Sequence, residues 1–366
     1  CFVTPIITGM RYLLVGNYGV GNVGDEILKD YFLERFSDID WIVCSDDSEV
    51  GISRFPSGIK SFFSFGWIKT VNALRKSDGM VFGGGSLFTD AESVRACWIW
   101  FVHALFAVVF RKPIYLAFQG IGPFKTKLGM ILSRWVIRRS KFISVRDYVS
   151  FDRVNDMLMK SRVYSDENSK KVEKNKEVIQ SFDPSILLLE SQEIDSRTQK
   201  VFTVIPRLST EWEGGGIMRF VKEFEGFERE NCQINVVSMQ SSNLEEQKLC
   251  TTLSRALNGN TVEVRNFQSL ASFISVSSIV ITQRYHGALA ALSSGIPFIS
   301  IFQKENDKLD SIARISECLS CDLNKFSNSL IRESLEISSQ KLLDESHKFI
   351  KLAEFGEEKL KQALIK

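Results

Sequence analysis

The stretch Ile279–Ile301 reads IVITQRYHGALAALSSGIPFISI and predicts a strand, a turn, a helix and a second strand in succession. The apolar run that ends at Ile281 predicts the first strand, and Ala288–Leu292 predicts a buried helix built from small residues. Gly295 fits the C-terminal cap of that helix, and the next apolar run ends at Ile301. Units of this kind build parallel sheets with crossover helices, so the stretch indicates an α/β fold.

Arg284 and His286 directly follow the first strand of this unit, where ligands bind in α/β folds. An anionic ligand suits the position, because helix N-terminal amides, a guanidinium and an imidazole would converge on it. The alternative is that Arg284 caps a loop and His286 is a hydrogen-bonded structural histidine. We favour a functional role, since the chain has only three His and this one follows a strand beside an arginine.

Length and composition narrow the class of protein. A chain of 366 residues is long for one core and predicts two domains. Its apolar fraction of 44%, charged fraction of 25% and net charge of +2 are typical of a globular protein and argue against nucleic acid as a partner. The scattered cysteines, with only Cys318 and Cys321 closely spaced, favour reduced thiols in a cytosolic protein over a zinc site.

Predicted strands and helices alternate in two runs. The first run extends from Arg11–Val15 to Phe142–Val145, and the second from Val201–Ile205 to Phe298–Ile301. The polar stretch between them predicts a boundary, so we expect domains at 1–195 and 196–335, with a C-terminal helix at 336–366 that packs back on the first domain. The predicted fold class is α/β, with two Rossmann-like parallel-sheet domains facing a cleft, a GT-B-like architecture.

The loop after the first strand is rich in glycine. Gly19, Gly21 and Gly24 match GxGxxG between a strand and a helix, and Asp46 lies at a suitable distance for a ribose contact, so dinucleotide binding is one alternative. Asp25 either caps the following helix or faces the cleft as a base.

The segment Cys97–Phe110 is almost wholly apolar between Arg95 and Arg111. Its length is too short to span a bilayer. A core helix is the favoured interpretation, and an interfacial helix at a membrane surface is the alternative, because tryptophans and flanking bases suit that location.

Six motifs in a fixed order support a family resemblance. They are YGVGNVGDE (18–26), GGGSLFTD (83–90), QGIGP (119–123), SVRD (144–147), FDPS (182–185) and QRYHGALAALSSGIP (283–297). On these residues the chain resembles the polysaccharide pyruvyl transferases. The resemblance implies transfer of a pyruvyl group from phosphoenolpyruvate to two hydroxyls of a sugar, which gives a cyclic ketal and releases phosphate.

The resemblance also implies site residues. It maps the donor-binding positions onto Arg207, Arg284, Tyr285 and His286, with Tyr285 contributing its backbone amide. His286 is the candidate acid or base, since the unperturbed pKa of histidine lies near neutrality. Acceptor-side candidates are Asn17, Asn22, Asp25, Gly84, Gly85, Ser86, Gln119, Arg146 and Asp147, among which Asp25 and Asp147 also suit helix caps.

Phosphoenolpyruvate and a sugar or lipid-linked glycan are the expected partners, without a cofactor, a metal site or nucleic acid. We expect an enzyme of exopolysaccharide biosynthesis in the cytoplasm, with contact at the inner face of the membrane left open. Two alternatives remain. One is a GT-B glycosyltransferase that uses a nucleotide sugar and needs a carboxylate for its ribose. The other is a non-catalytic glycan-assembly protein.

Overall fold

The computed structural model describes residues 9–47, 51–91, 93–159, 176–189, 200–227, 232–240, 242–264, 266–303 and 307–365. These residues form two compact units. The first unit takes its residues from Cys1–Val20, Leu28–Ser185 and Lys351–Lys366, and the second from Gly21–Ile27 and Ile186–Ile350. The domain boundary predicted at 195 lies outside the described residues.

The first unit is built on a parallel sheet of seven strands in the order β3-β2-β1-β4-β5-β6-β7. The strands are β1 (Arg11–Val15), β2 (Asp40–Ser45), β3 (Ile52–Ser53), β4 (Gly79–Phe88), β5 (Ile114–Ile121), β6 (Phe142–Val145) and β7 (Ile179–Gln180). The helices that begin before residue 160 are α1 (Val23–Arg35), α2 (Ile59–Phe63), α3 (Trp67–Lys76), α4 (Val94–Val109), α5 (Lys127–Arg139) and α6 (Tyr148–Met159).

The second unit has a parallel sheet of six strands in the order β10-β9-β8-β11-β12-β13. They are β8 (Val201–Ile205), β9 (Gln233–Ser238), β10 (Asn260–Glu263), β11 (Ile279–Thr282), β12 (Phe298–Ile301) and β13 (Leu319–Cys321). The helices are α7 (Gly216–Lys222), α8 (Leu244–Ala256), α9 (Phe267–Ser275), α10 (Tyr285–Ser293), α11 (Lys308–Ile315), α12 (Asn328–Leu335) and α13 (Ser339–Ile365).

The stretch Ile279–Ile301 folds as β11, α10 and β12, which confirms the predicted unit. Helix α10 is buried along nearly all of its length, so its small residues let it pack closely on the sheet. A Cβ atom on Gly287 would lie 2.7 Å from Ile205 Cδ1. Gly295 has φ +64° just after the helix, which confirms the glycine cap.

In two strands of the first unit, the apolar runs that predict them end at Phe82 and Phe118, and both strands continue beyond these residues. The Gln119 side chain explains part of the extension, because its Nε2 donates to the Phe82 carbonyl at 2.9 Å and the Gly84 carbonyl at 3.2 Å. The ladder becomes irregular at Gly85, where the β4–β5 register shifts. Glycine lets β4 bend there while it stays paired.

The last part of α13 belongs to the first unit. Tyr12 Oη donates to the Leu364 carbonyl at 2.6 Å, and Tyr31 Oη donates to Glu357 Oε2 at 2.9 Å. Arg35 also bonds Glu357, with Nε donating to Oε2 at 3.1 Å. The end of α13 therefore packs against β1 through Tyr12 and against α1 through Tyr31 and Arg35.

A buried histidine makes the stability of the first unit sensitive to acid. His103 Nδ1 donates to the Ile99 carbonyl at 2.8 Å, and its Nε2 accepts from the Phe55 amide at 3.2 Å, so the ring is neutral. Burial lowers the pKa of His103 to about 4. Since the unfolded chain binds this proton near pH 6.5, we expect the free energy of unfolding to fall as the pH drops from 6.5 to 4, by about 3 kcal/mol in total.

Urea unfolding at pH 7, 5.5 and 4 measures this loss. His103→Gln should reduce the pH dependence, and the same substitution at the exposed His347 should leave it unchanged. Equal pH dependence in wild type and His103→Gln would contradict the assignment.

Candidate anion-binding site

Arg207 and Arg284 leave adjacent parallel strands of the second unit, where Ile205 of β8 pairs with Thr282 of β11. The Gln283 side chain ties the two strand ends together, because its Oε1 accepts from the Arg207 amide at 2.8 Å and from Trp212 Nε1 at 3.1 Å. Two cationic side chains thus start from one edge of one sheet, as expected from their positions after strands.

The turn that carries Arg284 is held by Thr282. Its Oγ1 accepts from the Arg284 amide at 2.9 Å and donates to the Arg284 carbonyl at 3.0 Å. Arg284 is the N-cap residue of α10, in extended conformation. Its side chain therefore begins beside the positive end of the helix dipole.

A buried carboxylate faces Arg284. Glu246, in the first turn of α8, is fully buried and forms an ion pair with Arg284 Nη2, which also donates to Gln240 Oε1 at 3.3 Å. Burial lowers the pKa of Arg284; Glu246 opposes that shift, and the positive charge of Arg207 adds to it.

Among the described residues, three polar atoms around this pair are buried without a hydrogen-bond partner. They are Arg284 Nε, Glu246 Oε1 and Gln283 Nε2. Buried polar atoms normally have partners, so a bound molecule is one way to satisfy these three. Two of the three are donors, which suits an anion that carries several oxygens.

Glu246 could not be assigned from sequence. Asn243 and Glu246 have the spacing of a capping box, which predicts that the glutamate bonds back to the N-cap amide. Asn243 does cap α8, since its Oδ1 accepts from the amides of Glu245 and Glu246 at 3.1 and 3.3 Å. The Glu246 side chain instead pairs with Arg284, which lies 38 residues away in sequence.

Three helices begin around Arg284 and His286. Helix α10 starts with these residues, α8 contributes Glu246 from its first turn, and the first turn of α1 lies against His286. The start of α1 is fixed by the Val23 amide, which donates to the Met239 carbonyl at 3.2 Å. Because helix N-termini carry partial positive charge, the cluster favours an anion.

His286 is half-buried at the centre of this cluster. Its ring lies edge-on to Phe267, with centroids 6.4 Å apart, and to Tyr285, with centroids 5.4 Å apart. A Cβ atom on Gly24 would lie 2.3 Å from His286 Nδ1, so only glycine lets α1 approach the ring this closely. The imidazole is therefore positioned by three separate elements.

Gly24→Ala should displace the imidazole of His286. The backbone of Gly24 is helical and accepts alanine, but the new methyl group would overlap Nδ1. If His286 acts in catalysis, we expect turnover to fall by about tenfold to a hundredfold, since a misplacement of about 1 Å at a reacting group has effects of that size.

Turnover and the imidazole NMR signals of the three histidines measure the effect of Gly24→Ala. Gly58→Ala is the matched control, because among the described residues no atom lies within 4 Å of a Cβ at that position. Wild-type turnover together with a shifted His286 signal would argue against a catalytic ring.

Comparison with known proteins decides the family. The sequence profile described as polysaccharide pyruvyl transferase matches residues 22–301, most of the chain, including Arg207, Arg284 and His286.

The chain belongs to the polysaccharide pyruvyl transferase family.

Solved structures of other enzymes share the fold of this family member. HepE of Anabaena in complex with UDP-glucose is 10% identical, with TM-score 0.62 and coverage of 96% of this chain and 99% of that one. The UDP-GlcNAc 2-epimerase of Neisseria meningitidis bound to UDP-GlcNAc is 13% identical, with TM-score 0.62 and coverage of 96% and 99%. A putative UDP-N-acetylglucosamine 2-epimerase of Listeria monocytogenes is 12% identical, with TM-score 0.54 and coverage of 94% and 91%.

These likenesses concern the fold alone, and they confirm the predicted GT-B-like class with two Rossmann-like parallel sheets. No curated protein sequence matches the chain. None of the described helices is both long enough and apolar enough to cross a membrane. Within the described ranges, no group of three or more His, Cys, Asp or Glu side chains is placed to hold a metal ion.

Three of the family motifs in the first unit meet in one buried network. Arg146 Nη1 donates to Asp183 Oδ2 at 2.6 Å, and Nη2 donates to Ser86 Oγ at 2.9 Å. Asp183 Oδ1 accepts from Ser185 Oγ at 2.6 Å. Arg146 and Asp183 are almost wholly buried. The side-chain amide of Gln119 donates to backbone carbonyls of β4 and β5. These contacts give Ser86, Gln119 and Arg146 structural roles in holding strand ends together.

Other acceptor-side candidates lie at helix starts and turns. Asn22 Nδ2 donates to Asp25 Oδ2 at 2.7 Å, and both belong to the segment of the second unit that approaches His286. Asp147 caps α6, with its Oδ1 accepting from the Ser150 amide at 2.7 Å. Asn17 is half-buried in the turn after β1. Gly84 and Gly85 have φ of +81° and +82° within β4, so each needs glycine.

The GxGxxG spacing is explained by contacts within the protein. A Cβ on Gly19 would lie 2.1 Å from Ser45 Oγ, and one on Gly21 would lie 2.1 Å from Ser242 Oγ. Gly24 approaches His286, and the carboxylate of Asp46 lies 3.7 Å from Arg54. The three glycines therefore serve close packing of chain segments.

Proposed function

We propose that this family member transfers the pyruvyl group of phosphoenolpyruvate to two hydroxyls of one sugar, as a cyclic ketal, with release of phosphate. The observation that carries the proposal is that Arg207 and Arg284 leave adjacent strand ends of one sheet, while His286 lies in the first turn of α10, against the first turn of α1. The sugar belongs to a cell-surface polysaccharide or its lipid-linked precursor, modified in the cytoplasm without a further cofactor.

Phosphoenolpyruvate has two anionic ends, and the site offers matching cations. A guanidinium binds a carboxylate or a phosphate through two parallel hydrogen bonds, which fixes the orientation of the donor. Glu246 neutralises part of the buried charge of Arg284 and holds its Nη2, so the remaining donors of that guanidinium point in a fixed direction. The amides at the start of α10, including that of Tyr285, add partial positive charge.

The reaction requires proton transfer at two kinds of atom. A proton adds to the methylene carbon of the donor, the double bond opens, and a sugar hydroxyl forms a bond to the central carbon while losing its own proton. The bond from that carbon to the phosphate oxygen then breaks, and phosphate leaves with the electron pair. The second hydroxyl bonds to the same carbon and loses its proton, which closes the ketal. The imidazole of His286 is suited to carry these protons, because an unperturbed histidine side chain gains or loses a proton near neutral pH.

The test is phosphate release from phosphoenolpyruvate in the presence of a panel of acceptor glycans, with mass spectrometry of the products. With one of the acceptors we expect phosphate to be released from phosphoenolpyruvate, and we expect that acceptor to gain the mass of a pyruvate ketal. A parallel reaction with UDP-glucose in place of phosphoenolpyruvate tests the glycosyltransferase alternative. Glycosyl transfer from UDP-glucose without pyruvyl transfer to any acceptor would overturn the proposal.

A further inference from the structure

The helices α2 to α5 of the first unit present exposed apolar side chains. Ile59 is 80% exposed, Phe63 and Val109 are each 65% exposed, and Ile131 is 59% exposed. Phe65 and Trp98 are also exposed. Contiguous apolar surface on a folded protein marks a place where another molecule docks. We call the outer surface of α2, α3, α4 and α5 the α2–α5 face.

Aromatic contacts make the α2–α5 face continuous. Phe62 stacks on Trp67 with centroids 5.5 Å apart, and Trp67 meets Phe106 of α4 at 6.1 Å. Phe101 of α4 meets Trp135 of α5 at 4.9 Å. The inner sides of α3, α4 and α5 contribute to one core with β1, β4 and β5, so the outer sides of the three helices form a layer over one face of the sheet.

The charge of the α2–α5 face has one sign. The sequence contains no Asp or Glu from Gly51 to Ser77 or from Ser93 to Arg146, and these stretches include all four helices. Their exposed basic residues include Lys69, Arg95, Arg111, Lys127 and Arg139. Since the whole chain has a net charge of only +2, the rest of the chain is acidic on balance.

We propose that the α2–α5 face docks on the surface of an anionic phospholipid bilayer. Its aromatic and aliphatic side chains would enter the boundary between headgroups and acyl chains, while the lysines and arginines meet the phosphates. The docking is peripheral, because α4 has 16 residues and no described helix is suited to cross the bilayer. A second copy of the chain fits less well, since it would bring bases against bases.

The proposal does not depend on the donor site, because every residue that carries it lies in the first unit. Docking would bring the enzyme to acceptors that are themselves anchored in the bilayer. Docking also reconciles the two interpretations of Cys97–Phe110 as a core helix and as an interfacial helix, since one side of α4 packs on the sheet and the other is exposed.

Co-sedimentation of the full chain with vesicles tests the proposal. We expect binding to vesicles of phosphatidylcholine with phosphatidylglycerol, weakened by salt, and at least tenfold weaker binding to phosphatidylcholine alone. Phe63→Asp should weaken binding at least tenfold, because it removes an inserted ring and adds a negative charge. Lys69→Ala and Lys127→Ala should each weaken it by about fivefold.

Met218→Asp is the matched control, since Met218 is 69% exposed but lies on α7 of the second unit. It should bind vesicles like wild type, and circular dichroism should show that each variant is folded. Equal binding of Phe63→Asp and Met218→Asp would overturn the proposal. The proposal would also be overturned if the protein bound neither kind of vesicle and instead formed a dimer, seen by analytical ultracentrifugation, that Phe63→Asp dissociates.

Discussion

His286→Ala should lower turnover by about a hundredfold to ten-thousandfold, while phosphoenolpyruvate binding changes much less. The proposed role explains this difference, because the imidazole moves protons during the reaction whereas the arginines bind the donor. The ring is half-buried between Phe267, Tyr285 and the first turn of α1, so its loss removes an oriented group. Turnover with a verified acceptor, and donor affinity by calorimetry, measure the two effects.

A purely structural histidine would behave differently. His286→Ala would then lower the melting temperature and activity in parallel, so melting temperature should be measured beside turnover. His347→Ala is the matched control, since His347 is exposed on α13 and should change neither quantity. Wild-type turnover of folded His286→Ala would rule out the catalytic role and would leave the family and fold assignments unchanged.

Arg284→Ala should have two effects of separate origin. Donor affinity should fall by about tenfold to a hundredfold, because a charge-assisted contact contributes about 1.5–3 kcal/mol. The free energy of unfolding should also fall, by up to about 3–5 kcal/mol, because the substitution leaves the buried carboxylate of Glu246 without its cation.

The double variant Arg284→Ala/Glu246→Ala separates the two effects. Removing both charges avoids the uncompensated carboxylate, so much of the lost stability should return. Donor affinity should stay low, since Glu246 does not restore a positive charge. Calorimetry with phosphoenolpyruvate and urea unfolding give the two quantities. Recovery of donor affinity in the double variant would show that Arg284 acts only as the partner of Glu246.

Local patterns predicted the elements of the second unit well. The stretch Ile279–Ile301 contains a short apolar run, a polar turn and a run of small residues. These patterns are typical of a buried strand, a turn and a buried helix, respectively. The strand Val201–Ile205 matches β8 at both ends. The positions of Arg207 and Arg284 after neighbouring parallel strands followed from that alternation, since parallel strands end at the same edge of a sheet.

The boundaries of strands were less predictable where a glycine was interpreted as the end of the strand. Strand β4 continues through Gly83 to Phe88, because Gln119 and the neighbouring strand supply hydrogen bonds that sequence alone does not reveal. Helix α1 begins at Val23, four residues before the amphipathic pattern that starts at Ile27, because Asn22 caps it: its Oδ1 accepts from the Gly24 amide at 3.3 Å. The aromatic-rich segment 61–67 suggests a loop before a helix, and its first residues instead belong to the short helix α2.

Short-range patterns were sufficient to predict the α/β class, the strand positions, and an arginine and a histidine after a strand, because these depend on periodicity over a few neighbouring residues. The groups that surround the arginine and the histidine depend on long-range packing. Glu246 lies beside Arg284, and Gly24 beside His286, across 38 and 262 positions of the chain. Such contacts arise when distant helices pack their N-termini together, and no local pattern records which buried carboxylate will face which guanidinium.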